Sequence, residues 1–152
     1  MPWDPDLARE IAEELKGEDG ALLPVLHALN DRFGYVDQQA VPVIADILNL
    51  SRAEVHGVVS FYHDFSEAPA GEVVVKVCRA EACQSMGALA LIERLCARHG
   101  ISLGDTSAAG VTIEPVYCLG NCACAPAAMV NDRLHGRLDA DKLDRIVGEA
   151  QE

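Results

Sequence analysis

The sequence has no cysteine before residue 78, and over its 152 residues it is poor in aromatic side chains (5 %) and in positive charge, with 12 Lys and Arg against 24 Asp and Glu. The resulting formal net charge of −12 repels a phosphate backbone instead of releasing its counterions, which argues against nucleic acid as a partner. Long hydrophobic runs are missing too. The longest uncharged stretch, residues 115–131, is interrupted by Pro, Gly, Asn and Cys and cannot form a spanning helix. The amino terminus, Met1-Pro2-Trp3-Asp4, lacks the basic start and apolar run of a secretory signal, so a cytoplasmic location without direct membrane insertion is expected. Neither G-x-G-x-x-G nor a P-loop occurs, which leaves no recognisable nucleotide cradle. His27, His56, His63, His99 and His135 are scattered without H-x3-H spacing, and no nucleophile stands in a recognisable pattern with a base. These absences predict a chain without turnover of its own.

What is present fits a globular protein: half the residues are hydrophobic, 24 % are charged and the mean hydropathy is +0.11. The two halves differ. Residues 1–70 carry 4 basic and 13 acidic residues, a net −9, whereas residues 71–152 carry 8 and 11, a net −3. All six cysteines (Cys78, Cys83, Cys96, Cys118, Cys122, Cys124) lie in the second half. In a reducing compartment such a cluster points to metal or redox chemistry before disulfides.

Periodicity predicts four short helices in the first half. Asp4 and Pro5 suit an N-cap and first turn, followed by Leu7, Ile11 and Leu15 until Gly17. Leu22, Leu26 and Leu29 share one face before Gly34, and Val41, Ile44, Ile47 and Leu48 mark a third helix. Ser51 and Glu54 form a capping box ahead of Val55, Val58 and Val59, and residues 66–71 read as a linker. Residues 44–62 have the length of a helix-turn-helix. They offer bases only Arg52, beside Glu54 and valines, so a packing or docking module is the better account and a regulator the alternative.

In the second half, residues 72–78 (EVVVKVC) form a β-branched strand, residues 85–99 have helical period, and residues 111–117 form a second strand. Asn131-Asp132 is a turn pair suited to a hairpin, and Asp139 can cap a last helix with Leu143, Ile146 and Val147. The order β-α-β-β-α is a thioredoxin-like arrangement, a small sheet with helices packed on it. The fold class is therefore α/β (α+β): a helical bundle over residues 1–70, read as a docking domain, then a thioredoxin-like domain over residues 71–152.

Chemistry collects where the strands end. Cys78 closes the first strand with Cys83 just ahead of the helix, and Cys118 closes the second with Cys122 beyond it. This puts C-x4-C and C-x3-C on neighbouring loops at one end of a sheet. Two thiolate pairs suit a 2Fe-2S cluster, one pair to each iron. A position near a helix N-terminus is expected to lower the pKa of Cys83. Small residues, Gly120, Ala123, Ala125, Ala127 and Ala128, let backbone N–H groups approach the sulfurs. Structural zinc usually takes the narrower C-x2-C loop, a zinc-stabilised adaptor being the alternative. The absence of C-x-x-C speaks against a thiol-disulfide oxidoreductase of thioredoxin type. Cys96, one turn after Ile92, reads as a core residue, and Cys124 is sterically an alternative to Cys122.

Taken together, Phe33-Gly34-Tyr35-Val36, Gly57-Val58-Val59-Ser60-Phe61-Tyr62, the two cysteine pairs and Cys118-Leu119-Gly120-Asn121-Cys122 with Ala125-Pro126 resemble a known family. It is the thioredoxin-like 2Fe-2S subunit of the NADH dehydrogenase module of respiratory complex I and its relatives. The resemblance implies that Cys78 and Cys83 bind one iron and Cys118 and Cys122 the other. It also implies a neighbouring subunit that carries FMN and binds NAD, a large catalytic subunit, and single-electron exchange with the flavin. Residues 78–87 (CRAEACQSMG) are most similar to the gamma subunit of a soluble NAD-dependent formate dehydrogenase. Complex I (NADH-quinone oxidoreductase) and NAD-reducing hydrogenases use an equivalent subunit.

Overall fold

The computed structural model describes residues 2–152, which divide into two compact units, the first ending at Pro69 and the second spanning Ala70–Glu152. The first is all helix. Helix α1 (Pro5–Leu15) starts at Asp4, whose carboxylate accepts the N–H groups of Asp6 and Leu7 at 3.0 and 3.3 Å. Helix α2 spans Leu22–Phe33, α3 spans Ala40–Leu48 and α4 spans Arg52–Phe61. Their apolar faces meet in one core around Ala12, Val25, Leu26, Leu29, Ile44 and Val55, and the Trp3 ring lies 5.1 Å from that of Phe33. Ser66 and Glu67, expected in the linker, are held to this unit. The Val36 N–H donates to the Ser66 carbonyl at 2.8 Å, and Gln38 donates to the Glu67 carboxylate at 2.9 Å.

At α4 both halves of the capping box form: the Ser51 hydroxyl accepts the Glu54 N–H, and the Glu54 carboxylate accepts the Ser51 N–H. Hydrogen bonds from the Ser51 N–H and hydroxyl hold the Glu54 carboxyl below its ordinary pKa. The contribution of the ionised cap is thus fully present above the ordinary carboxylate pKa and is lost as pH falls through the lowered value. Ser51→Ala is expected to cost about 1 kcal/mol, read as a lower melting temperature in thermal unfolding. An unchanged transition would mean that α4 is held by packing alone. The far end of α4 leaves Phe61 72 % exposed and Tyr62 41 % exposed, with their rings edge to face at 5.1 Å.

The second unit is a four-stranded sheet in the order β2-β1-β3-β4. Strand β1 (Val73–Cys78) pairs in parallel with β2 (Val111–Val116) and antiparallel with β3 (Ala128–Val130), which pairs antiparallel with β4 (Arg133–His135). Asn131 and Asp132 join β3 to β4 with φ of 44° and 64°, the left-handed pair that a two-residue hairpin needs. Helices α5 (Glu81–Ser85), α6 (Ala88–His99) and α7 (Ala140–Ala150) complete the unit. Ile92 and Leu95 from α6 and Leu143 and Val147 from α7 bury against Val73, Val75, Val77, Val111 and Ile113. Arg94 and Arg98 reach Asp144 across the two helices at 3.2 and 2.6 Å.

Two expectations change. The order is β-α-α-β-β-β-α in place of β-α-β-β-α: the expected hairpin around Asn131-Asp132 supplies two strands where that order counts one, and a separate short helix, α5, precedes the helix expected over residues 85–99, which begins only at Ala88. Gly87, with a φ of 87°, separates α5 from α6. Among the described residues no helix is long and apolar enough to cross a membrane.

Candidate metal centre

Adjacent parallel strands bring the cysteine loops together. Cys78 ends β1 opposite Val116, which ends β2, so the two chains leave the sheet side by side. The departing first loop is tied on both sides: the Cys78 N–H donates to the Ala127 carbonyl at 3.1 Å and the Arg79 N–H to the Val116 carbonyl at 2.8 Å. Helix α5 follows at once and carries Cys83 in its middle rather than ahead of a helix. The second loop turns at Cys118 and Gly120, both at positive φ (92° and 73°), and enters a single 3-10 turn over Cys122–Cys124. Cys118, expected at the end of the strand, lies two residues past it, after the exposed Tyr117.

The four thiols form two unlike pairs. Cys78 and Cys83 are each 2 % exposed and share a small apolar cluster with Ala88 and Ala127. Cys118 and Cys122 are exposed, with their sulfurs 3.6 Å apart, and the Gly120 N–H donates to the Cys118 sulfur at 3.3 Å. Burial pushes the Cys78 thiol up in pKa, but N–H groups of Ala80, Cys118 and Leu119 and the Cys83 thiol outweigh it, so the net shift is downward. Cys83 moves up, because burial and the neighbouring Cys78 outweigh the N–H of Ala127. The net lowering expected from a helix N-terminus is not seen, because burial and the neighbouring thiol dominate at Cys83. Cys122 is raised by its hydrogen bond to Cys118 and by the charge there. One thiol of each pair thus holds its proton more tightly than usual, and a metal that binds must displace it.

Cys96 and Cys124 stand apart in kind. Cys96 is half-buried on α6 against the sheet core, and burial together with Asp105 raises its pKa. Cys124 ends the 3-10 turn, and its carbonyl accepts the Arg137 N–H at 2.6 Å. Among the described residues no three His, Cys, Asp or Glu side chains gather into one group. Two thiol pairs on neighbouring loops, one with the Gly120 N–H on a sulfur, suit a dinuclear cluster, in which each iron takes two thiolates.

A thioredoxin-like sheet with sulfur donors on the loops after two parallel strands defines a small iron–sulfur protein. Comparison with known proteins specifies which. The profile of the thioredoxin-like 2Fe-2S ferredoxin family matches residues 8–151. The HndA component of the NADP-reducing hydrogenase of Solidesulfovibrio fructosivorans is 33 % identical over 147 residues, covering 94 % of this chain and 86 % of that one. A subunit of the NADH-quinone oxidoreductase of Pseudomonas aeruginosa is 33 % identical over 128 residues, covering 84 % and 77 %. The solved structure of an NAD+-reducing NiFe hydrogenase in the H2-reduced state superposes with a TM-score of 0.67 at 29 % identity, covering 83 % of this chain and 22 % of the hydrogenase chain. The protein belongs to the thioredoxin-like 2Fe-2S ferredoxin family, and its cofactor is a 2Fe-2S cluster.

Proposed function

We propose that this chain is the one-electron carrier subunit of an NAD-linked oxidoreductase complex, with Cys78 and Cys83 as ligands to one iron and Cys118 and Cys122 to the other. The observation that carries the reading is the paired geometry: two cysteine loops leaving adjacent parallel strands, with Cys78 and Val116 in register at the strand ends and the Arg79 N–H of the first loop donating to the Val116 carbonyl. When bound, the cluster supplies a carrier that takes and returns single electrons. The chain's own residues prepare the site. N–H groups of Ala80, Cys118 and Leu119 favour the thiolate of Cys78, and the apolar walls of Ala88 and Ala127 keep water from the inner pair. A partner subunit holds FMN and NAD and a large subunit performs the substrate chemistry, because this sequence has no cradle for either nucleotide. Residues 1–70 act as the docking domain, with Phe61 and Tyr62 as exposed aromatic anchors and a net −9 to steer encounter. The assembly operates in the cytoplasm.

Within that class we assign the complex as an NAD-dependent formate dehydrogenase, on the resemblance of residues 78–87 to its gamma subunit. The relatives named above belong to a hydrogenase and to an NADH-quinone oxidoreductase, which are the competing assignments. Anaerobic purification of the chain with whatever accompanies it tests both levels. The isolated chain should contain about two irons and two acid-labile sulfides and give a rhombic one-electron signal on reduction. A large molybdenum- or tungsten-containing subunit should copurify. A hydrogenase large subunit or a quinone-reducing assembly in its place would move the assignment, and a colourless zinc protein would end it.

A further inference from the structure

The exposed thiol pair rests on a segment that no sequence motif distinguishes. After β4 the chain runs through Gly136 and Arg137 directly behind the 3-10 turn that carries Cys122. A Cβ placed on Gly136 would stand 2.6 Å from Asn121 Nδ2, 2.8 Å from Cys124 Cβ and 2.8 Å from the Cys124 carbonyl oxygen. The last two belong to the turn itself and have no flexible end that could swing aside. Hydrogen bonds press the same surfaces together: the Arg137 N–H donates to the Cys124 carbonyl at 2.6 Å and the Leu138 N–H to the Pro126 carbonyl at 3.1 Å. From α7, Lys142 Nζ donates to the Gly136 carbonyl at 2.7 Å in a partly buried bond, and the Asp139 carboxylate anchors that first turn through the Lys142 N–H at 2.7 Å. Inside the turn, the Cys124 N–H donates to the Asn121 carbonyl at 3.0 Å and the Ala125 N–H to the Cys122 carbonyl at 3.2 Å. A continuous set of contacts thus runs from α7 through Gly136 to the backbone of Cys122.

We propose that Gly136 is a positioning residue for the metal centre: its missing side chain lets the strap over residues 136–138 lie against the Asn121–Cys124 turn and fix where Cys122 presents its sulfur. The strap does for the exposed pair what the apolar cluster does for the buried one. Hydrogen-bonded supports behind a metal ligand govern affinity and electronic character as the ligand itself does. An added methyl at Gly136 displaces the turn outward and takes Cys122 with it.

This inference rests on Cys118 and Cys122 being ligands, so the wild-type chain must first show a cluster and Cys118→Ser must disturb it. Failure at that stage sinks the ligand assignment, and the strap with it, whereas failure of the strap alone shows only in the variants that follow. The full chain is then compared with Gly136→Ala, Lys142→Met and Gly148→Ala. The last adds a methyl on α7 where nothing lies within 4 Å. Gly136→Ala should retain its far-UV circular dichroism, shift the g-values of the reduced cluster and lose iron to a chelator about tenfold faster. Gly148→Ala should match wild type. If Gly136→Ala does not fold, Lys142→Met, which unties the strap without adding bulk, should show a smaller shift in the same signals. Wild-type g-values and chelator kinetics in Gly136→Ala, or in Lys142→Met where it alone folds, overturn the proposal. An equal change in Gly148→Ala overturns it too.

Discussion

Cys83→Ser should leave the protein colourless, with iron falling from about two per chain to near none. The effect follows from where the sulfur lies. Cys83 is buried beside Cys78, Ala88 and Ala127, so a serine there puts a hydroxyl into an apolar cluster and removes one of two donors to the inner iron. Cys78→Ser should do the same, since it removes the other donor of the buried pair from the same apolar cluster. Cys118→Ser and Cys122→Ser fall on an exposed loop with water at hand. These two should yield a weakened cluster with a strongly altered visible and electron paramagnetic resonance spectrum. Cys96→Ser, on the sheet side of α6, should keep the wild-type spectrum. Cys124→Ser should keep it as well. Iron analysis and absorption spectra of the six single variants check the set. Retention of a normal cluster in Cys122→Ser with its loss in Cys124→Ser would move the fourth ligand to Cys124.

The second large effect concerns the electron donor. NADH added to the isolated chain should produce no bleaching, whereas NADH with the flavin-bearing partner should reduce the cluster fully. On the proposed reading the difference is all or none, because the sequence carries neither G-x-G-x-x-G nor a P-loop to bring the nicotinamide near the sulfurs. Phe61 and Tyr62 give the same experiment a second reading. If the helical unit docks the partner, a Phe61→Ser, Tyr62→Ser double variant should keep its cluster spectrum and bind at least about tenfold more weakly, as the removal of aromatic anchors does at interfaces. Association should slow as salt rises, since the net −9 of residues 1–70 acts through a screened field. Bleaching by NADH alone would refute the dependence on a partner. Undiminished binding of the double variant would remove docking from this face.

Much of this molecule is legible in its residues because the informative signals are local. Asp4 with Pro5, and Ser51 with Glu54, mark helix starts by satisfying the first free N–H groups, and both caps form. Asn131-Asp132 tolerates positive φ and makes the hairpin. What the residues hide depends on distant partners or on single backbone angles. Side-chain period alone runs smoothly from Ser85 into α6, and only the φ of Gly87 breaks it, so α5 is invisible as a separate helix. The pKa of Cys83 runs opposite to expectation because burial in a cluster assembled from separate chain segments outweighs any local dipole. In the sequence, Gly136 is an ordinary glycine after a short strand. Its meaning lies in the close approach of Cys124, twelve residues back.

The parallel pairing of β1 with β2 also sets a timetable for biosynthesis. Parallel neighbours cannot be joined by a tight turn, and here α5 and α6 form the crossover between them. Cys118 therefore emerges 35 residues after Cys83. At roughly 5–20 residues per second, the nascent chain exposes one thiol pair for about 2 to 7 s before the first residue of the other emerges. During that interval Cys78 and Cys83 are open to any scavenging metal or oxidant, with no second loop to shield them. Correct loading thus belongs to the finished chain, after β2 has docked, and a cell that overproduces this protein faster than it supplies iron and sulfide will accumulate an apo form whose inner pair is covered by the fold and whose exposed pair, Cys118 and Cys122, is open to attack first.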